Sequence, residues 1–250
     1  SLLYHCCQLL ALFLIVAISC PKQAIKHTGT APEKGPSQTI PKQEATLLQT
    51  HSEPVVTVLD RTTLLIEHAP HSHQFQHLTE QMLIVFSAAG VIPALARLEA
   101  QRYAALAALH DIGKKNIPAA ILNKPGTLTA EEFNIVKTHT IQGCKLLEAI
   151  PALRQCDDFS SACDVCFHHH ERWDGRGYPD GLAGRHIAPW VHVVGLADAF
   201  DALTHPRAYK PTYTPAQARG MILSGACGAF DPNMLECFGQ HIQAIAHAVY

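Results

Sequence analysis

Beyond Ala104 the apolar positions of the chain recur three and four residues apart, the spacing of one helical face. Ile135, Val136, His139, Gly143, Leu146, Leu147 and Ile150 follow that period, and Thr129 with Glu132 forms a capping-box pattern that opens their helix. His139 therefore faces inward, and Gly143 one turn on leaves room around it. Ala104 to His110 closes an earlier helix, with Gly113 placed to end it. Pro189 suits the first turn of a helix running through Leu203, and Thr214-Pro215 starts another. Alternating runs that would read as strands are few. The pattern predicts an all-α protein, a helical bundle whose inner faces supply a polar site.

The N-terminal part follows a different pattern. Its first 21 residues carry no formal charge, and Leu9 to Ile18 is an apolar run. As a helix such a segment is long enough to span a bilayer. Lys22, Lys26, Lys34 and Lys42 follow it, and positive flanks stay cytoplasmic. The expectation is a hydrophobic segment over 1–20 that anchors the chain to the inner membrane, with a cytoplasmic folded domain beyond it. A cleaved signal peptide and the remnant of a longer chain are the alternatives; Ala17-Ile18-Ser19-Cys20 has some likeness to a lipoprotein cleavage box. Residues 21–53, rich in Lys, Pro, Thr and Gln, read as a flexible linker, and 54–250 as the folded domain. No receiver or sensory domain is recognisable between 21 and 60.

Composition narrows the function. With 48% hydrophobic residues in 250, the chain can bury a full core, and a net charge of −2 marks no surface for a nucleic-acid polymer. The nine cysteines form no disulfide framework, and Cys163-x-x-Cys166 has no second pair to complete a zinc site. Reduced thiols are the expectation.

The chemistry lies in imidazoles and carboxylates. His110-Asp111 is followed by His139, then by His169-His170-Glu171, then by Asp198, and the interval from His110 to His139 recurs from His169 to Asp198. Neutral imidazole offers a nitrogen lone pair and carboxylate a hard oxygen, so together they can hold and bridge two divalent cations. Asp111, beside His110, suits the bridge.

The stretch His110-Asp111-Ile112-Gly113-Lys114 resembles the HD signature of metal-dependent phosphohydrolases. His169-His170-Glu171 through Gly177-Tyr178-Pro179 resembles the HHE…GYP block of the HD-GYP family. Asp198-Ala199-Phe200-Asp201-Ala202-Leu203 with Arg207 and Tyr209-Lys210-Pro211, and then Phe230-Asp231-Pro232, are similar to its later blocks. The likeness runs from about Glu67 to the C-terminus.

That resemblance implies an all-helical phosphodiesterase acting on cyclic di-GMP with two or three divalent metals, iron or manganese, and diguanylate cyclases or other signalling proteins as partners. It makes His110, Asp111, His139, His169, His170 and Asp198 metal ligands, with Glu67 and His71 added where a third metal binds. His73 offers a rival register to His71. It places Asp111 and Lys114 in catalysis, and Lys114, Arg207 and Lys210 against the substrate; the Gly177-Tyr178-Pro179 turn reads either as presenting Tyr178 to a guanine of the substrate or as a structural loop lid. Arg offers a bidentate fork and Lys a point charge to the two phosphates. Glu171 reads as support for the ligands rather than as one of them. Asp201 reads as an orienting group for a ligand histidine or as a partner of Arg207. Competing readings are a cyclic dinucleotide sensor without turnover and an HD-type phosphohydrolase acting on another nucleotide.

Overall fold

The structure is a computed structural model that describes residues 71–205 and 212–249, with the side chains of His71 and Ser72 excepted. The expected apolar segment and linker, Glu67, Arg207 and Lys210 lie outside the described residues. Among the described residues there is no strand, only a single bridge between Asp174 and Ala183. No described helix is long and apolar enough to cross a membrane.

In chain order the α-helices are α1 (His71–Ala88), α2 (Arg97–Ala107), α3 (Ala119–Leu122), α4 (Ala130–Lys137), α5 (His139–Glu148), α6 (Phe159–His168), α7 (Pro189–Thr204), α8 (Pro215–Leu223) and α9 (Pro232–Val249). Short 3-10 turns stand at Ile112–Asn116, Leu153–Gln155 and Gly184–His186. Helix α7 is the axis of the core. Val191, Val193, Val194, Leu196, Ala197, Phe200 and Leu203 are all buried, so it is covered on nearly every side. Leu78, Met82, Leu83 and Phe86 of α1 and Phe238 and Ile242 of α9 complete that core. Phe200 meets Phe238 edge to face at 5.8 Å between ring centroids. Each such buried side chain contributes about 1.5–3 kcal/mol against exposure.

The starts of the helices follow their sequence signals. Thr129 Oγ1 accepts the Glu132 amide at the start of α4, and the Thr129 amide donates in return to Glu132 Oε2. Thr214 does the same for α8 with Gln217, and Pro189 occupies the first turn of α7.

Two expectations need correction. The periodic run from Ile135 to Ile150 is two helices, broken at Thr138, whose amide bonds back three residues to Ile135 instead of four. Ile135 is 41% exposed, while His139, Gly143 and Leu147 are buried. And α2 ends at Ala107 with Ala108 as its cap, so Gly113 terminates nothing. A Cβ on Gly113 would lie 1.9 Å from the His139 carbonyl oxygen and 2.5 Å from the Gly143 amide nitrogen. The glycine is there so that the turn after Asp111 can lie directly on α5.

Candidate metal centre

That close approach brings the two halves of the site together. His110 and Asp111 leave the end of α2, His139 is the first residue of α5, and His169 and His170 follow the last turn of α6. Only Asp198 comes from the middle of a helix, α7. The ligand candidates are thus presented mainly by helix ends, where sequence patterning had placed them on inner faces.

Helix ends carry carbonyls with no partner in the ladder, and the histidines use them. His110 Nδ1 donates to the Ala107 carbonyl at 2.7 Å, His139 Nδ1 to Val136 at 2.7 Å, and His169 Nδ1 to Val165 at 2.8 Å. Each carbonyl lies within the last four residues of the preceding helix. A carbonyl oxygen only accepts, so in each ring Nδ1 carries the hydrogen and Nε2 of the neutral ring presents a lone pair.

Those Nε2 atoms converge on Asp111. Asp111 Oδ1 lies 3.3 Å from His139 Nε2 and 3.9 Å from His169 Nε2, and Oδ2 lies 3.3 Å from His110 Nε2. His110 Nε2 is also 3.7 Å from Asp198 Oδ1. Two ligand groups result, Asp111 with His139, His169 and His170, and Asp111 with His110 and Asp198; within each, one donor atom per residue falls within 4.8 Å of the others. Asp111 belongs to both, as a bridging carboxylate must.

The donor set fits cations. Asp111 Oδ1 is buried and makes no hydrogen bond. His139 Nε2 and His169 Nε2 face each other at 3.3 Å with both Nδ1 hydrogens already committed. Burial lowers the pKa of both rings, so two lone pairs point at one another. A shared or adjacent cation turns that repulsion into ligation. Burial likewise pushes His170 down to about 3, leaving it neutral and ready to bind. Burial works against a charge on His110 too, but the Asp111 and Asp198 carboxylates outweigh it and raise that ring to about 10. For Asp111, burial is overcome by His110 and Lys114, which hold it well below the usual carboxylate range. For Asp198, burial is overcome by the neighbouring His110 ring and its charge, and it too stays ionised.

Around this cluster sit further residues singled out by sequence. Lys114 Nζ lies 2.5 Å from Asp111 Oδ2. The Tyr178 ring packs on His170 with centroids 4.7 Å apart. His71 begins α1, whereas Glu67, Arg207 and Lys210 fall outside the described residues. His73, the rival register, is exposed. Asp201 pairs with His205, Oδ1 to Nδ1 at 2.8 Å. Glu171 is buried, and its Oε1 accepts the amides of Asp180 at 2.7 Å and Gly181 at 3.0 Å, pinning the Gly177-Tyr178-Pro179 loop. His168 also stays out of the cluster, between Asp164 Oδ1 at 2.6 Å and Asp180 Oδ2 at 3.1 Å.

Arg172 is a residue the sequence reading left without a role. Its guanidinium donates to the carbonyls of His169 at 3.2 Å, Glu171 at 2.8 Å and Cys227 at 3.3 Å, and lies over the Phe230 ring. It therefore ties the histidine pair to the Phe230-Asp231-Pro232 turn. The signal was its position beside Glu171, but nothing local revealed the distant carbonyl and ring.

Comparison with known proteins bears on the family and the fold. The HD domain family model matches residues 60–234. A cyclic di-GMP phosphodiesterase of Vibrio cholerae is 40% identical over 133 residues, covering 53% of this chain and 27% of that protein. The 3'3'-cGAMP-specific phosphodiesterase 2 of the same organism is 36% identical over 147 residues, covering 59% of this chain and 27% of that protein. The chain thus spans about a quarter of the length of these relatives. Among solved structures, an HDG"Y"P protein from Bdellovibrio bacteriovorus superposes with a TM-score of 0.52 at 18% identity, covering 69% of this chain and 52% of that one; it shares the fold.

Proposed function

Since the chain belongs to the HD-domain family, in its HD-GYP branch, we propose that it is a metal-dependent phosphodiesterase that hydrolyses cyclic di-GMP to the linear dinucleotide and onward to GMP. The observation that carries this reading is the sharing of Asp111 between two ligand groups. His139, His169 and His170 would hold one cation with Asp111 Oδ1, and His110 and Asp198 the second with Asp111 Oδ2. Imidazole with carboxylate suits iron, manganese or zinc, and the family resemblance favours iron or manganese. Glu67 and His71 would serve a third. Two such cations, when bound, neutralise phosphate charge and lower the pKa of water.

The protein's own groups do the rest. The helix-end carbonyls fix each imidazole so that its Nε2 needs no reorientation on binding, and His110, charged between Asp111 and Asp198, would give up its Nε2 proton as the cation binds. In hydrolysis, the hydroxyl of water joins phosphorus, the P–O3' bond breaks, and a proton reaches the departing 3' oxygen. Lys114, beside Asp111, sets an ammonium where it can neutralise a phosphate oxygen or that leaving oxygen. Arg207 and Lys210 are assigned to the two phosphates on the strength of the family motif, and Tyr178 to a guanine.

A second reading keeps the chemistry and changes the substrate, since one relative is named for 3'3'-cGAMP. The sensor reading is disfavoured by six ligand positions that all carry ligand-type side chains. Anchoring through residues 1–20 and encounters with a diguanylate cyclase are part of the same proposal. The test is anaerobic purification, metal analysis, and hydrolysis assays on cyclic di-GMP and 3'3'-cGAMP with added Mn²⁺ or Fe²⁺. Two or more metals per chain with turnover are expected; metal binding and dinucleotide binding without turnover would favour the sensor.

A further inference from the structure

Next to the metal centre lies an aromatic and basic surface that the ligand set does not use. Phe133 of α4 is a large apolar side chain left 44% exposed. Its ring meets Tyr178 edge to face, centroids 6.3 Å apart at 83°. Tyr178 in turn packs on His170, so Phe133 is one aromatic ring further out from a candidate ligand. Lys137, one helical turn after Phe133, brings Nζ to 4.8 Å from the Phe133 ring centre and 5.7 Å from that of Tyr178. Two aromatic faces and one ammonium thus converge at the rim of the site. The capping box at Thr129 and the contact of Lys124 Nζ with Glu132 at 2.6 Å hold α4 in that place.

What distinguishes Phe133 from other exposed apolar side chains is its place beside Tyr178 and Lys137, where a flat partner would cover it. A base stacks on an aromatic face whatever its identity. The ammonium adds discrimination. Guanine offers two acceptors on one edge, O6 and N7, whereas adenine offers N7 beside an N6 donor. Lys137 has only donors to give, so it satisfies the guanine edge and is opposed by the adenine amino group. An exposed cation–π contact is weak, and Lys137 can exchange the Phe133 face for a base edge.

We infer that Phe133 and Lys137, with Tyr178, form the seat for one purine of the cyclic dinucleotide and that Lys137 makes this seat prefer guanine. The inference rests on the phosphodiesterase reading and names two specificity-determining residues for it.

The test uses the full chain loaded with Mn²⁺ under anaerobic conditions. Its substrates are cyclic di-GMP, cyclic di-AMP and methyl p-nitrophenyl phosphate, a phosphodiester without a base. For Phe133→Ala, the ratio of kcat/KM on cyclic di-GMP to that on the base-free ester falls roughly five- to a hundredfold, with the loss mainly in KM. Phe133→Trp restores it. Lys137→Gln, whose amide can pair with adenine N6 and N7, shifts the cyclic di-GMP to cyclic di-AMP ratio toward adenine by about tenfold or more. Ile135→Ala, on another face of the same helix, leaves both ratios unchanged. Equilibrium binding of cyclic di-GMP is measured on every variant, so that the result does not depend on turnover. If the unaltered protein neither binds nor hydrolyses cyclic di-GMP, the phosphodiesterase reading and the purine seat both fall. If it does either, and Phe133→Ala and Lys137→Gln leave the ratios and the affinity intact, the purine seat alone is overturned.

Discussion

His139 Nε2 stands 3.3 Å from His169 Nε2 while the Nδ1 hydrogen of each ring is donated to a backbone carbonyl. Two facing lone pairs in a buried site are a cost carried by the metal-free fold and relieved by ligation. Metal should therefore stabilise the native state strongly. At a free concentration a thousandfold above Kd, binding adds about 4 kcal/mol to unfolding. For a domain of this size that raises Tm by roughly 8–16 °C. Differential scanning fluorimetry of chelated and Mn²⁺-reconstituted protein checks this; coincident melting curves would refute it.

Replacing Asp111 by alanine removes the one group common to both ligand sets. Hydrolysis should drop by more than ~100-fold, with a reduced metal content. The fold should stay helical, because Asp111 is half-buried and supplies no core packing. Circular dichroism and a turnover assay on one sample make the measurement. Wild-type rates in that variant would end its assignment as the bridge.

Two glycines make opposite forecasts. Gly113→Ala would drive a Cβ into the His139 carbonyl and the Gly143 amide, neither of which is a flexible side-chain tip. It should destabilise by at least ~1–3 kcal/mol, as overpacking does, and loosen the placement of His139. Gly220, inside α8, has nothing within 4 Å of its would-be Cβ. Gly220→Ala should raise stability by about 0.5–1 kcal/mol. Urea unfolding of the pair gives both signs in one experiment.

His192 supplies a pH dependence independent of the ligands. It is buried between Trp173, 5.8 Å away, and Phe230, 5.6 Å away, and its Nε2 has no hydrogen-bond partner. Burial lowers its pKa to about 4, against 6.5 when unfolded. The unfolded chain therefore binds more protons between these values. Stability from this residue is fully present above pH 6.5 and is lost as pH falls towards 4. His192→Phe should lose roughly 1–3 kcal/mol less than the wild type between pH 7.5 and 4.5. Parallel slopes in denaturant titrations at several pH values would count against this.

How far the sequence could be read depended on the range of the cause. Capping boxes at Thr129 and Thr214 and the proline at the start of α7 act within one turn, and the chain shows them in place. The candidate ligand types and their order were legible because imidazole and carboxylate have few other reasons to recur so regularly. The break at Thr138 was not, since apolar spacing continues across it while only the backbone hydrogen bond changes. Gly113 was misread for a related reason. A glycine after a helix usually ends it, and only the neighbouring helix reveals that this one makes room. Arg172 and Glu171 act on the 227–230 and 177–181 segments, partners that no local pattern announces.

Each of the three anchored imidazoles takes its aim from a carbonyl three or four residues behind it. Aim is therefore settled inside a single turn of chain, whereas distance between ligands is settled by how α2, α5, α6 and α7 pack. The turn at Gly90, whose would-be Cβ meets nothing within 4 Å, takes part in neither task. Lengthening it would leave the aim of every donor atom unchanged. The loop that carries Tyr178 has no such liberty, because two of its amides are fastened to Glu171. Variation in chain length is thus tolerable on one side of the centre and costly on the other, and the costly side is where a substrate would be read.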